Sequence, residues 1–135
     1  MADYTITFDG GCLGNQRPGD QPSYGSFHIR DRQGSVLHHV SKQPYGPGTN
    51  NTAEYRAVID ALKTLRATLG AGAKEATLDI TGDSMLVIQQ LSGKWKAKDA
   101  RLARLRDEAQ ALMREFGRVQ LKQQPRAKSV AILGH

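Results

Sequence analysis

The sequence predicts an α/β protein built on a five-stranded mixed sheet flanked by helices. Three observations carry that expectation. Three strand-like runs come first, separated by turn-rich segments short enough to make them antiparallel neighbours. A long amphipathic stretch then precedes a fourth strand, and further helices precede a fifth. Helical crossovers of that kind set the fourth and fifth strands parallel to the first. The chain has 135 residues, 39% of them hydrophobic, which suits one compact core and is too few for two. Residues 1–135 are therefore read as a single domain.

Tyr4, Ile6 and Phe8 alternate with Thr5, Thr7 and Asp9, the pattern of a strand that ends at Asp9. Gly10-Gly11 reads as its break, and Gly14 to Pro22 as a turn-rich loop. Tyr24 to Ile29 is a second strand, Asp31-Arg32-Gln33-Gly34 a hairpin turn and Ser35 to Gln43 a third strand. Pro44, Gly46, Pro47 and Gly48 form a loop. A helix leaves that loop, with Tyr55, Val58, Ile59, Leu62, Leu65 and Leu69 on one face. Gly70 and Gly72 end it. Ala76 to Gly82 is the fourth strand and Ser84 to Leu91 a short helix, interrupted at Ser92-Gly93. Asp99 to Phe116 is a longer helix with Leu102, Leu105, Ala109, Leu112 and Phe116 in register. Val119 to Lys122 is the fifth strand, and a last helix begins near Ser129.

Composition narrows the function classes. No apolar run approaches membrane-spanning length, so no membrane partner is expected. The N-terminal residues lack the basic-then-apolar pattern of a secretion signal. Cys12 is the only cysteine, which excludes a disulfide framework and a cysteine zinc cluster and fits a cytoplasmic setting. Nineteen Lys and Arg against thirteen Asp and Glu give a net charge of +6, the balance of a protein with a polyanionic partner. The excess is uneven. No acidic residue follows Glu115, and Lys94, Lys96 and Lys98 alternate just after Gly93.

Three carboxylates stand out against this basic background. Asp9 and Asp83 each close a strand-like run, and parallel first and fourth strands place both at one sheet edge, where open α/β sheets bind ligands. Glu54 lies in the first turn of the long helix, on its loop side. Each has a plainer role open to it. Asn51-x-x-Glu54 matches a capping box, Asp83 precedes a helix, and Asp9 precedes two glycines. Converging carboxylates without thiol ligands make a hard-oxygen site suited to Mg²⁺ or Mn²⁺. Two such ions could activate water and stabilise the leaving oxygen of a phosphodiester. Groups near Thr49 and Ser84 are placed to hold phosphates.

The pieces Phe8-Asp9-Gly10-Gly11, Thr49-Asn50-Asn51-Thr52-Ala53-Glu54-Tyr55 and Thr81-Gly82-Asp83-Ser84 continue through Leu86 to Gln90 and on to Gly93-Lys94-Trp95-Lys96. Together and in this order they resemble type 1 ribonuclease H, in its archaeal-like branch without the basic-protrusion helix. The resemblance implies the ribonuclease H-like fold and endonucleolytic hydrolysis of the RNA strand of RNA–DNA hybrids by two metal ions. It implies Asp9, Glu54 and Asp83 as metal ligands. It also implies Thr49 on a DNA-strand phosphate, Asn15, Asn50 and Asn51 near the hybrid minor groove, and Trp95 along DNA sugars. Lys94, Lys96, Lys98 and Arg126 join Ser84 as expected nucleic-acid contacts, and the protein is expected to be a monomer.

One departure from the family concerns the fourth carboxylate, an Asp about seven residues beyond an Arg that follows a Pro. Pro125-Arg126 matches the start, but Leu133 stands where the Asp belongs. His135, or its α-carboxylate if residue 135 ends the natural chain, is the tail group that remains to ligate. To reach the site from a helix it needs a bend, which Gly134 would permit. Two other readings compete. One is a hybrid- or duplex-binding module that does not cut, which would gain nothing from three acidic groups beside a polyanion. The other is an exonuclease of the same fold, which would carry a different acidic pattern.

Overall fold

The computed structural model describes residues 2–14 and 18–134. Its sheet has strands β1 (Tyr4–Cys12), β2 (Gln21–Asp31), β3 (Val36–Gly48), β4 (Thr77–Gly82) and β5 (Arg118–Gln123). They lie in the order β3-β2-β1-β4-β5. β1, β2 and β3 pair antiparallel, while β4 and β5 run parallel to β1. This is the mixed sheet expected from the order of elements. Helices α1 (Asn50–Leu69), α2 (Met85–Leu91), α3 (Ala100–Met113) and α4 (Arg126–Leu133) complete it, with a short 3-10 turn over Gly70–Glu75.

One face of the sheet carries Ile6, Phe8, Phe27, Ile29, Leu78 and Ile80, all buried under the apolar stripe of α1. Tyr55, Val58, Leu62 and Leu65 of that stripe have no exposed surface. α3 packs beside α1 and closes this core through Leu102, Ala109 and Leu112. The opposite face is more polar near the centre, where the Thr7 and Thr81 hydroxyls meet at 3.0 Å. α4 covers β1 and β2 there, buries Ser129 and Leu133, and accepts a 3.1 Å hydrogen bond from His39 Nε2 on the Leu133 carbonyl.

Several element boundaries differ from the sequence expectation, each for a physical reason. Gly10-Gly11 does not end β1, which pairs with β2 as far as Cys12↔Ser23. Gly10 is there because the backbone of α1 presses on it. The Pro44–Gly48 stretch is not a loop but the end of β3, paired with Gln21 to Tyr24. Prolines are tolerated there because β3 is an edge strand of the sheet. α4 starts at Arg126 rather than near Ser129, with Pro125 as its N-cap residue. No helix intervenes between Leu91 and Ala100, and no helix among the described residues is long and apolar enough to cross a membrane.

Candidate active site

The site is made by seating the start of α1 directly on β1. A Cβ at Gly10 would lie 2.5 Å from both the Ala53 carbonyl carbon and the Glu54 nitrogen. Only a residue without a side chain lets the helix backbone come this close. Glu54 is thereby set beside Asp9, which lies two residues past Thr7↔Thr81, the last pair between β1 and β4. Asp83 follows the last residue of β4. One carboxylate oxygen from each of Asp9, Glu54 and Asp83 lies within 4.8 Å of the other two.

None of the three carries out the plainer task its local sequence allowed. The capping box of α1 is formed by Thr49 and Thr52: the Thr52 amide donates to Thr49 Oγ1 at 3.2 Å and the Thr49 amide to Thr52 Oγ1 at 2.8 Å. Glu54 does not cap. α2 is capped by Ser84, whose Oγ accepts from the Val87 amide at 3.2 Å, so Asp83 does not cap either. Asp9 lies within a strand rather than in a turn.

Burial, and then the charges of Asp9 and Asp83, push the Glu54 carboxyl up to about 8. The Ser84 hydroxyl and the Arg126 guanidinium oppose that rise. The site therefore concentrates negative charge that wants a counter-cation, and every donor in it is a hard oxygen. That fits a divalent ion of the Mg²⁺ type. Arg126 stands over the outer side, with Nη1 3.8 Å from Asp83 Oδ2 and a side chain 77% exposed. The junction between β5 and α4 is laced to the end of β4 by Gln124 N–H on the Gly82 carbonyl at 2.8 Å.

The other expected site residues fall into three groups. Thr49, Asn50 and Asn51 open α1 beside Glu54, with Asn50 exposed and the Thr49 hydroxyl already engaged in the cap. Lys94, Trp95, Lys96 and Lys98 lie on the α2–α3 loop, all exposed. Trp95 is 48% exposed. The loop is held by the Lys94 and Trp95 amides on the Gln89 carbonyl, at 3.0 and 3.1 Å. Gln90, buried in α2, adds a relay: its Oε1 accepts from Tyr55 at 2.6 Å and its Nε2 reaches the Lys96 carbonyl at 3.4 Å. Nothing in the sequence marked Gln90 as the link between the core and the basic loop. Asn15 and His135 lie outside the described residues. Gly134 closes α4 as a left-handed cap at φ 82°. Leu133, in the place of the family's fourth carboxylate, is 1% exposed.

A sheet of this order with α1 laid across it and acidic residues at the carboxyl edge defines the ribonuclease H-like class of domain. Residues 8–132 match the model of the family described as reverse transcriptase-like. The bifunctional protein Rv2228c of Mycobacterium tuberculosis is 40% identical over 124 residues, 92% of this chain and 32% of the relative. Ribonuclease HI of Halobacterium salinarum is 34% identical over 120 residues, 89% of this chain and 55% of the relative. The chain thus spans about a third to about half of the curated relatives it matches. Among solved structures, the N-terminal RNase H domain of the mycobacterial protein superposes with a TM-score of 0.80 at 35% identity, covering 94% of this chain and 90% of that one. RNase H1 of H. salinarum gives 0.80 at 31%, covering 93% and 88%. LC11-RNase H1 in complex with an RNA/DNA hybrid gives 0.82 at 28%, covering 96% and 90%. The chain belongs to the reverse transcriptase-like family and is a type 1 ribonuclease H domain.

Proposed function

We propose that residues 1–135 act as a single, monomeric, cytoplasmic ribonuclease H unit that cuts the RNA strand of RNA–DNA hybrids endonucleolytically. The observation that carries this reading is the convergence of Asp9, Glu54 and Asp83 from three separate elements on one small volume. The halobacterial relative named ribonuclease HI and the LC11 enzyme seen with hybrid support the choice of substrate. A non-cutting binder would have no use for a cluster that repels phosphate.

Asp9, Glu54 and Asp83 would hold Mg²⁺ or Mn²⁺. Two such ions, when bound, supply the Lewis acidity that activates water and stabilises the leaving oxygen of the phosphodiester. Glu54 must lose its proton to ligate, so loading the site releases a proton near neutral pH. The neighbouring Ser84 hydroxyl favours the charged form of Glu54. Arg126 lies against Asp83 from outside and would meet the phosphate as it enters. Asn15, Asn50 and Asn51 would read the 2′-hydroxyls of the minor groove. Thr49, Lys94, Lys96 and Lys98 would hold phosphates, with Trp95 against sugars. The direct test is incubation with labelled RNA–DNA hybrid, duplex DNA and duplex RNA, with either metal. Cleavage confined to the RNA of the hybrid is expected, and binding without cleavage under all conditions would favour the non-cutting module.

Thr49→Ala and Lys96→Ala are expected to weaken hybrid affinity more than turnover, and Lys96→Ala to reduce the salt dependence of binding. Thr49→Ala also removes half of the α1 capping box, so it should cost about 1 kcal/mol of stability. Lys96→Ala, on an exposed loop, should cost almost none. Equal affinity with a large loss of turnover would contradict the phosphate assignment.

We further assign His135 to the position of the missing fourth carboxylate. Imidazole suits Mn²⁺ better than Mg²⁺, so activity should favour Mn²⁺, and His135→Asp should shift the preference toward Mg²⁺. If His135→Ala and His135→Asp both match the parent with both ions, the enzyme works with three carboxylates.

A further inference from the structure

The root of the β1–β2 connection and the start of α3 lie 81 residues apart in sequence, yet an ion pair joins them. Arg101 Nη1 donates to Asp20 Oδ2 at 2.8 Å and Nη2 to Oδ1 at 3.3 Å. A two-point contact between a planar guanidinium and a carboxylate fixes orientation as well as distance. Asp20 sits at the root of its loop, just beyond the Leu13 N–H···O=C Pro22 bond that closes the β1–β2 ladder at 2.9 Å. Arg101 lies in the first turn of α3, three residues past Lys98. At its other end the α2–α3 loop is already tied to α2 through Gln89 and Gln90.

We propose that Asp20 and Arg101 are positioning residues for the hybrid. Their pairing ties the first turn of α3, and with it the end of the basic α2–α3 loop, to Asp20 at the root of β2, so Lys94, Lys96 and Lys98 meet the substrate from a set position. This rests on the hybrid-cutting reading above. It explains an acidic residue at the border of a surface that must accept a polyanion, where an unpaired carboxylate would be unfavourable. The guanidinium also holds the Asp20 carboxyl below its usual range, so the pair stays charged at neutral pH.

Electrostatics alone and positioning predict opposite signs for Asp20→Ala. Removing a negative charge near phosphates should tighten binding if charge is all that matters. Loss of the tether should weaken it. An exposed pair of this kind is worth at most about a fivefold change. We expect Asp20→Ala and Arg101→Ala each to raise KM for labelled hybrid by up to about fivefold, in line with the same bound. kcat should stay within about twofold and the unfolding temperature should be unchanged, as for a surface pair. Asp20→Glu should retain affinity, and the exchange variant carrying both Asp20→Arg and Arg101→Asp should recover most of it. Tighter binding by Asp20→Ala, or no change in either single variant, overturns the proposal. An Asp20→Ala that binds normally beside an Arg101→Ala that does not makes Arg101 a direct phosphate contact and also overturns it. Hybrid affinity of the unmodified protein, measured by fluorescence anisotropy with Ca²⁺ present to neutralise the acidic cluster, separates the two levels. If the unmodified protein does not bind hybrid, the functional reading fails and the proposal falls with it. If it binds and the variants match it, only the positioning role fails.

Discussion

Asp9→Asn, Glu54→Gln and Asp83→Asn are each expected to lower hybrid cleavage by at least ~10²–10³-fold, the scale of losing one group that stabilises developing charge. The fold should survive in all three, because none of these side chains caps a helix or fills the core. Metal-free stability supplies a second and more specific signature. The Glu54 carboxyl is pushed up to about 8 from the ordinary 4.5, so the folded protein holds a proton that the unfolded chain releases. Its contribution is fully present below about 4.5 and declines as pH rises through that value to about 8. Each pH unit across that window is worth up to about 1.4 kcal/mol. His28, whose burial lowers its pKa, works in the opposite sense, so the informative quantity is the difference between parent and Glu54→Gln. In chelator, that variant should lose the downward slope and be more stable than the parent at pH 8. Urea unfolding of both proteins from pH 5 to pH 9 measures it. Parallel curves would mean that Glu54 is not buried against like charge. Near-parental turnover by any one of the three variants at saturating metal would remove its residue from the ligand set.

Gly10→Ala is the second large effect. The added methyl would meet backbone on α1, at 2.5 Å from Ala53 C and Glu54 N, and backbone cannot rotate aside as a side chain can. The helix must lift, at a cost of about 1–3 kcal/mol or more for overpacking a fixed interface. Glu54 moves away from Asp9 as it does so, and cleavage should fall well beyond the loss of folded protein. Gly11→Ala provides the comparison, since its methyl meets the far end of the Tyr24 side chain, with the hydroxyl at 2.8 Å. Chemical unfolding and turnover at saturating metal, read on both variants, decide the matter. A Gly10→Ala protein with parental stability and activity would show that α1 is not seated on β1 in this way.

These two glycines also show where the sequence was legible and where it was not. Alternation at Tyr4 to Phe8 and the three- and four-residue steps from Tyr55 to Leu69 report directly on which side chains are buried. The sheet order follows from those runs and the connections between them. Gly10-Gly11 reads locally as a break because glycine weakens an isolated strand. The strand continues, and at Gly10 a helix from elsewhere in the chain needs the space. Pro44 and Pro47 misled in the same way, since nothing local says that β3 is an edge. The acidic trio was legible as strand ends and a helix start. The competing capping patterns are local, and only the folded caps at Thr49 and Ser84 exclude them. The pairing of Arg126 with Asp83 and of Asp20 with Arg101 joins residues 43 and 81 apart in sequence, beyond the reach of periodicity.

The prolines of β3 have a further consequence, for how molecules of this protein can meet one another. An edge strand is a template on which a strand from a second molecule can add, and it needs an unbroken row of outward amides to do so. From Pro44 to Gly48 that row is interrupted twice, because proline has no amide hydrogen to give. The interrupted half leads into α1 and the acidic cluster. The intact half, with Val36 and Leu37 exposed, lies toward the other end of the strand. Strand-to-strand association along β3 would therefore start at the end remote from the cluster and halt before reaching it.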